Sequence, residues 1–570
     1  MGSNNLGSFI MDKPWIKSYP VGVSPNIQTD EFSSLVDMFD KTCDQFAEKP
    51  AFTNFGRSIT FTQLKTNVNS LASFLSNHLK LEKGDSVAIM MPNIFQYPIC
   101  VFGILKAGLI VENINPLFTA RELETQLKNS KSKAILILEN FALSFSEIKE
   151  NTSIEHVVIT AMGDMLGAKG YLINFIIKNV KKMVPNYDLE NSYQFKTVLK
   201  IGSGLKPPNT NIEKFDTAFL QYTGGTTGVV KAAMLTHDNI LANAVQFKEW
   251  LGTNIKYGEE IAICALPLYH IFALTCNALV LFHVGANNIL ITNPKDINAF
   301  VKELQKHKFT FISGVNTLFQ RLMDDKKFRK CNFSDLYLSL AGGMPVQKSV
   351  GEKWQKITGC VLTVGYGLSE TSPAASIDPV DPINIKEFSD TIGLPLPSTE
   401  FSIQDIDGNK LDVEEVGEIC IRGPQVMKGY WNNEEETKNV ITPDGWFKTG
   451  DVGYMRGDGY FKIVDRIKDV IIISGFNIYP SEIEEVVLKH KKIFEAACVG
   501  IQNKDGSESI KLFLSLKPGE VLTDDEIIEY CRSQLTAYKV PKMIEFIEEI
   551  PKSNVGKILR RELRERVSHA

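Results

Sequence analysis

The sequence has no C-x-x-C pair, although it carries nine cysteines, an odd and scattered set. That argues against a disulfide framework and a structural zinc site and fits a reducing compartment. Charge of one sign is not in excess: 62 Lys and Arg against 67 Asp and Glu leave a net −5. No global basic field recommends nucleic acid as a partner. Long apolar runs are missing too. The longest, "LTCNALVLFHVGANNILI" over 274–291, is interrupted by His283, Gly285 and two asparagines. It reads as a buried helix plus strand, not a membrane span. The opening "MGSNNLGSFIMDKPW" lacks the charged-then-apolar build of a secretory signal, and Leu6 breaks the myristoylation pattern. Its first ten residues read as a flexible leader with Met11 as an alternative start, and the expected location is cytoplasmic. There is no internal repeat and no low-complexity tract.

What is present is alternation. The chain of 570 residues is too long for one ordinary core. "SVAIMM" (86–91) reads as a buried strand, "FQYPICVFGILKAG" (95–108) as a helix and "LIVENIN" as a strand. "TARELETQLKNS" reads as a Thr-started helix and "KAILIL" (133–138) as another strand. Repeated β-α-β order implies mostly parallel sheets covered by helices on both faces. Past about residue 400 the texture changes to short strands with Asp-Gly turns, such as "FSIQDIDGNKL", "GEICIRG" and "GYFKIVDR", which suggests a small antiparallel β unit. "DRIKD" (465–469) then concentrates charge between apolar strands, and roughly 100 residues with a compact α+β pattern follow. The expected division is residues 1–464, with a β subdomain at 400–464, a linker at 465–469, and a separate domain at 470–570.

The densest functional signal is "QYTGGTTGVVKAAMLTH" (221–237). Gly224, Gly225 and Gly228 let a ligand approach the backbone. Thr223, Thr226 and Thr227 supply hydroxyls and Lys231 a mobile cation, a set that suits a polyphosphate. The nucleotide-kinase pattern needs Gly-Lys adjacent and then Ser or Thr; here Val229 and Val230 precede Lys231, and Ala232 follows. The loop sits between an apolar "AFLQY" strand and a helical "MLTHDNILANAVQF". Further along, "GYGLSET" (365–371) sets Tyr366 and Gly367 before Glu370 and Thr371. Glu370 can hold Mg²⁺, which prefers oxygen beside phosphate, Thr371 can donate to a phosphate, and Tyr366 offers a flat face to a base. Taken alone, Glu370 reads first as a helix-capping glutamate.

The loop, with "GYGLSET", "GWFKTGD" (445–451), "VDRIKD" and "PKSNVGKILRRELRE" (551–565) in that order, resembles the adenylate-forming superfamily of acyl-CoA synthetases, luciferases and nonribosomal adenylation domains. The resemblance runs from about residue 14 to 568. Segments such as "MPNIFQYPICVFGILKAG", "GGMPVQ", "SGFNIYPSEIE" and "DGWFKTGDVGYMRGDGYFKIVDRIK" place it nearest the bacterial long-chain fatty acid–CoA ligases. One departure is Ala232, where the family has glycine. The resemblance implies a large N-terminal domain of two doubly wound sheets plus a small β-barrel subdomain, then a small mobile α+β C-terminal domain. It implies that the loop, with Thr226 among the catalytic groups, holds the β- and γ-phosphates of ATP. Glu370 would hold Mg²⁺, Asp451 would meet the ribose hydroxyls, Arg466 the ribose or a phosphate, and Gly342 and Gly343 the adenine side. His270, Gly314 and Val315 would border the acyl group, and Gly475 the pantetheine of coenzyme A. Lys557 matches the catalytic lysine and Lys468 the hinge. A carboxylate attacking a phosphate anion faces repulsion, which a cation relieves most in the transition state.

The implied substrates are a fatty acid, ATP and coenzyme A. The rival readings are a fatty acyl-AMP ligase that loads a carrier protein, a ligase for a shorter or aryl acid, and a nucleotide-binding regulator without chemistry. "YLINFIIKNVKKMV" (171–184) places Leu172, Ile173, Ile176, Ile177, Val180 and Met183 on one side and Lys178, Lys181 and Lys182 elsewhere. That pattern suits peripheral contact with the inner face of a membrane, and equally a helix packed on its own domain. A homodimer is left open, as is chain-length preference. The flanking arginines of 551–565 read as a solvated cationic tail.

Overall fold

The strands expected from continuous apolar runs are buried along their whole length: Ser86–Met90, Ile110–Asn113 and Ala134–Leu138. This is a computed structural model of the chain, and it describes residues 13–223, 231–380, 387–473, 476–503, 508–553 and 557–568. Gln96–Lys106 is a helix with almost every residue buried, as expected where a crossover lies between packed layers. The Thr-started helix is Ala120–Ser130. Thr119 accepts from the Glu122 amide at 3.3 Å while Glu122 accepts from the Thr119 amide at 2.8 Å, a reciprocal cap worth about 1 kcal/mol. The interrupted apolar run is a buried helix, Ile271–Ala273 continued by a wider turn over Leu274–Leu281, and then the strand Asn287–Leu290. No helix among the described residues is long and apolar enough to cross a membrane.

The chain divides into two compact units, Met1–Glu400 with Arg422–Gly445, and Phe401–Ile421 with Trp446–Ala570. Among the described residues the first unit carries two sheets. In the eight-stranded sheet, Ser86–Met90 lies between Ile110–Asn113 and Ala134–Leu138, all parallel. In the nine-stranded sheet, Ile261–Cys264, Phe311–Gly314, Leu338–Ala341 and Leu362–Gly367 run parallel and adjacent. Trp354 anchors the helix Lys348–Thr358 against this sheet. Its indole donates to Ser339 Oγ at 3.0 Å, and its ring meets Phe319 at 4.7 Å. Truncating a buried Trp of this kind costs about 3–5 kcal/mol.

The second unit holds most of an antiparallel β subdomain, in which Gly417–Arg422, Phe447–Met455 and Phe461–Arg466 pair in sequence; the sequence division placed this subdomain with residues 1–464, whereas Phe401–Ile421 and the stretch from Trp446 group with the C-terminal residues. It also holds a three-stranded sheet of Ile493–Gln502, Glu508–Leu516 and Met543–Phe546 covered by helices Pro480–Leu488, Asp524–Gln534 and Arg560–Ser568.

Two further sequence expectations are corrected. The stretch after the Gly/Thr loop does not enter a helix directly. Lys231–Thr236 is a strand paired antiparallel with Thr217–Thr223, and the helix His237–Leu251 begins only after Thr236 caps it. The arginines after Lys557 are not a solvated tail. Arg560 donates to both Glu484 oxygens at 2.7 and 2.8 Å, and Arg564 to Asp469 at 2.6 Å. The stretch 171–184 divides its faces: Ile173, Ile176 and Ile177 are half-buried, whereas Tyr171, Leu172, Phe175, Val180 and Met183 are exposed.

Candidate active site

In the first unit the strands on either side of the Gly/Thr loop, Thr217–Thr223 and Lys231–Thr236, pair antiparallel. Their pairing ends at the Thr223–Lys231 rung. Gly224, Gly225, Thr226, Thr227 and Gly228 lie outside the described residues, as does Gly475. The Lys231 ammonium pairs with Glu436 and lies 5.6 Å from the centroid of the Tyr430 ring. The Tyr430 hydroxyl donates to Glu370 Oε1 at 2.8 Å. Tyr430 is brought there because Gly429–Tyr430 adds a short strand beside Met234 and Ala233. Glu370 is buried, and the Met427 amide donates to its carbonyl at 2.8 Å. Thr371 is wholly buried; its hydroxyl accepts from the Leu368 amide at 2.9 Å and donates to the Pro373 carbonyl.

Gly314, Gly342 and Gly367 stand at the carboxyl ends of three neighbouring strands, Phe311–Gly314, Leu338–Ala341 and Leu362–Gly367, where open α/β sheets bind their ligands. A Cβ on Gly342 would come within 2.9 Å of the Gly365 carbonyl and 3.2 Å of the Phe272 ring. Gly343 has φ +77, a left-handed conformation that favours glycine. A Cβ there would meet Val315 at 4.0 Å. Tyr366 is half-buried on the third of these strands. His270 begins the helix that carries Phe272, and its Nδ1 accepts from the Phe272 amide at 3.4 Å. One unit thus gathers the strands flanking the Gly/Thr loop, the Glu370–Thr371 turn, the glycine row and His270.

The second unit gathers the rest. Asp451 is buried and paired across the sheet with Arg466, whose Nε is 3.0 Å from Asp451 Oδ1. Lys557 is tied to Ser553: the Ser553 amide donates to the Lys557 carbonyl at 2.8 Å and the Lys557 amide to Ser553 Oγ at 3.2 Å. Crowding by surrounding chain, then the cations Arg466 and Lys468, push the Lys557 ammonium down to about 8, with Asp451 and Asp469 opposing. The residue's own surface stays exposed to water, which limits the share due to burial. Lys468 is likewise pushed down to about 8 by crowding and by Arg466. It stands in the turn Ile467–Asp469. Asp465, just before that turn, accepts from the Ser481 amide at 2.8 Å.

A family model described as AMP-binding enzyme matches residues 39–431, and a second, AMP-binding enzyme C-terminal domain, matches residues 482–557. The chain belongs to the AMP-binding enzymes. It is 50% identical over 97% of its length to a long-chain-fatty-acid–CoA ligase of Salmonella typhimurium, covering 98% of that protein. It is 36% identical, over the same shares, to one of Bacillus subtilis. Among solved structures, the anthranilate CoA ligase AuaEII in complex with anthranoyl-AMP superposes with a TM-score of 0.82 at 22% identity, over 95% of this chain and 99% of that one. At that identity the likeness speaks for the fold.

Several residues of this AMP-binding enzyme escaped the sequence reading. Tyr430 and Glu436 hold Glu370 and Lys231. Asn93, Tyr97 and Gln221 clamp the segment leading to His270. Asn93 accepts from the Leu268 amide at 2.8 Å, Tyr97 Oη lies 2.8 Å from the Leu268 carbonyl, and Gln221 donates to the Tyr269 carbonyl at 3.2 Å. Gln221 is two residues before Thr223, so the strand that leads to the Gly/Thr loop also braces the His270 turn. Among the described residues no group of three or more His, Cys, Asp or Glu gathers as a metal cluster.

Proposed function

We propose that this enzyme joins a long-chain fatty acid to coenzyme A in two steps, consuming ATP and releasing diphosphate and AMP. The observation that carries the reading is half identity over nearly the whole chain to a ligase named for those substrates. In the first step a carboxylate oxygen of the fatty acid attacks the α-phosphorus, the bond to diphosphate breaks and an acyl-adenylate forms. In the second, the coenzyme A sulfur attacks the acyl carbon, the bond to AMP breaks and the thiol proton leaves to solvent.

The residues divide the work. Thr223, Lys231 and the loop between them grip the outer phosphates, Thr371 the α-phosphate, and Asp451 with Arg466 the ribose. Gly342, Gly343, Tyr366 and Gly367 line the base, and His270, Gly314 and Val315 border the acyl carboxylate. Lys557 places positive charge between acid and phosphate, where charge develops in the transition state. Magnesium is held through one or two carboxylates plus phosphate oxygens, and the buried Glu370, fixed by Tyr430, fits that donor set. Bound there, magnesium would neutralise phosphate charge. Residues 470–570 turn at Lys468 between the steps, so that Lys557 serves the first and the segment around Gly475 the second.

The test is product analysis with ATP, magnesium, coenzyme A and acids from short to long, with one aryl acid. The reading expects long-chain acyl-CoA and AMP. Acyl-adenylate without thioester would select a carrier-loading ligase, thioester from short or aryl acids alone would change the substrate class, and no diphosphate from any acid would refute the reading.

We further propose that the enzyme works in the cytoplasm and meets an anionic membrane surface through the helix Ala168–Phe175 and its continuation to Val180. Exposed Tyr171, Leu172, Phe175, Val180 and Met183 are bordered by exposed Lys178, Lys181 and Lys182, the pairing that interfacial helices use on acidic lipid. Sedimentation with anionic vesicles should fall several-fold when these three lysines become glutamate. Equal sedimentation of both proteins, or equal binding to zwitterionic vesicles, would reject the surface.

A further inference from the structure

Glu436 is one of three consecutive glutamates, 434–436, yet it alone of the three pairs with Lys231. Its position is fixed from several sides. Its amide donates to Asn433 Oδ1 at 3.1 Å, and Asn439 donates to Oε2 at 3.4 Å. The Lys231 side chain keeps 20% of its surface exposed and that of Glu436 27%, so the pair stands at the edge of solvent, where an incoming anion can reach it. The hydrogen bond from Lys231 holds the Glu436 carboxyl below the usual range, so Glu436 is ionised at neutral pH. Behind the pair, Tyr430 places its ring beneath the ammonium and its hydroxyl on Glu370.

We propose that Glu436 is a competing counter-ion for Lys231: it holds the ammonium while the phosphate loop is empty and must yield it when a polyphosphate arrives. This rests on the reading of Lys231 as a phosphate contact. An ion pair at a half-wet edge is weak, so a polyanion with several charges displaces it readily. The displaced carboxylate then remains close to the polyphosphate and repels it. Both effects lower affinity for ATP and for diphosphate. The gain falls on the product side, because diphosphate released by the first step leaves a site that already holds a replacement anion. Glu436 would therefore set the balance between capturing ATP and being inhibited by diphosphate.

The test uses the full-length enzyme and inorganic diphosphate as the probe. Calorimetric affinity for diphosphate and the KM for ATP are measured for wild type, Glu436→Gln, Lys231→Ala and the double variant. Glu436→Gln should tighten diphosphate binding and lower the KM for ATP by about 3- to 10-fold. In the Lys231→Ala background the same change should have a clearly smaller effect on diphosphate binding, because only the direct repulsion remains. The proposal is overturned if Glu436→Gln leaves diphosphate affinity unchanged, or if it acts equally with and without Lys231. If Lys231→Ala itself fails to weaken diphosphate, the phosphate-contact reading falls and this proposal with it. If Lys231→Ala weakens binding while Glu436→Gln is silent, only the proposal falls.

Discussion

Lys231 and Lys557 have opposite surroundings. Lys231 opens a strand and faces a carboxylate, with an aromatic ring beneath it. Lys557 is flanked by the cations Arg466 and Lys468. The acids near it are already engaged: Asp451 by Arg466 at 3.0 Å, and Asp469 by Arg564 at 2.6 Å. A lysine with its own carboxylate has its charge largely satisfied before substrate arrives, and it serves as a grip. A lysine crowded by like charge gains most when an anion is brought to it, and it gains further as negative charge builds in the transition state. From this contrast we propose that Lys231 serves binding and Lys557 rate.

Substitution separates the two roles. Lys557→Ala should slow adenylation by about 10²–10³-fold, with a smaller effect on thioester formation from supplied acyl-adenylate. Lys231→Ala should act mainly on the KM for ATP. Equal losses in kcat for both lysines, or equal loss in both half-reactions for Lys557→Ala, would break the contrast.

The hinge comes next. Lys468→Pro should impair thioester formation about tenfold or more beyond its effect on adenylation. A variant blocked equally in both half-reactions would remove the hinge from the account.

The pH profile sharpens the comparison. Lys557 must be protonated to act, and both it and Lys468 are pushed down to about 8. Adenylation should therefore be full below that value and decline as pH rises through it, by up to about tenfold per unit. The descending limb belongs to the coupled pair. Lys468→Gln should move it slightly upward, because one of the lowering influences is removed while burial and Arg466 remain. A flat profile to pH 10 would contradict the crowding of Lys557.

The smallest effect is expected at Tyr430→Phe, which removes the hydrogen bond to Glu370. Activity should fall about 3- to 10-fold, with a raised magnesium requirement, in line with about 1 kcal/mol for a lost hydrogen bond. An unchanged magnesium titration would detach Tyr430 from Glu370's role.

The parts legible in the sequence were those set by local rules. The buried strands from Ser86 to Leu138 follow from continuous apolar runs, and the Ala120–Ser130 helix from Thr119 and Glu122. Gly342 and Gly343 were singled out through the family resemblance alone; that only a small residue fits at Gly342 and that a positive φ favours glycine at Gly343 became visible in the structure. What escaped was set by distant partners. Lys231–Thr236 contains an alanine pair and no alternation, so it becomes a strand through pairing with Thr217–Thr223 and Gly429–Tyr430. Which of the glutamates 434–436 meets Lys231 depends on that same pairing. Arg560 and Arg564 look like a solvated basic run, but their acids lie 76 and 95 residues earlier in the chain. No local pattern carries that information.

The most direct measurement is exchange of labelled diphosphate into ATP with magnesium and a long-chain fatty acid, in the absence of coenzyme A. Fatty-acid-dependent exchange in the wild type, lost in Lys557→Ala, is the predicted result. No exchange with any fatty acid, or a Lys557→Ala protein that exchanges as fast as wild type, would contradict it.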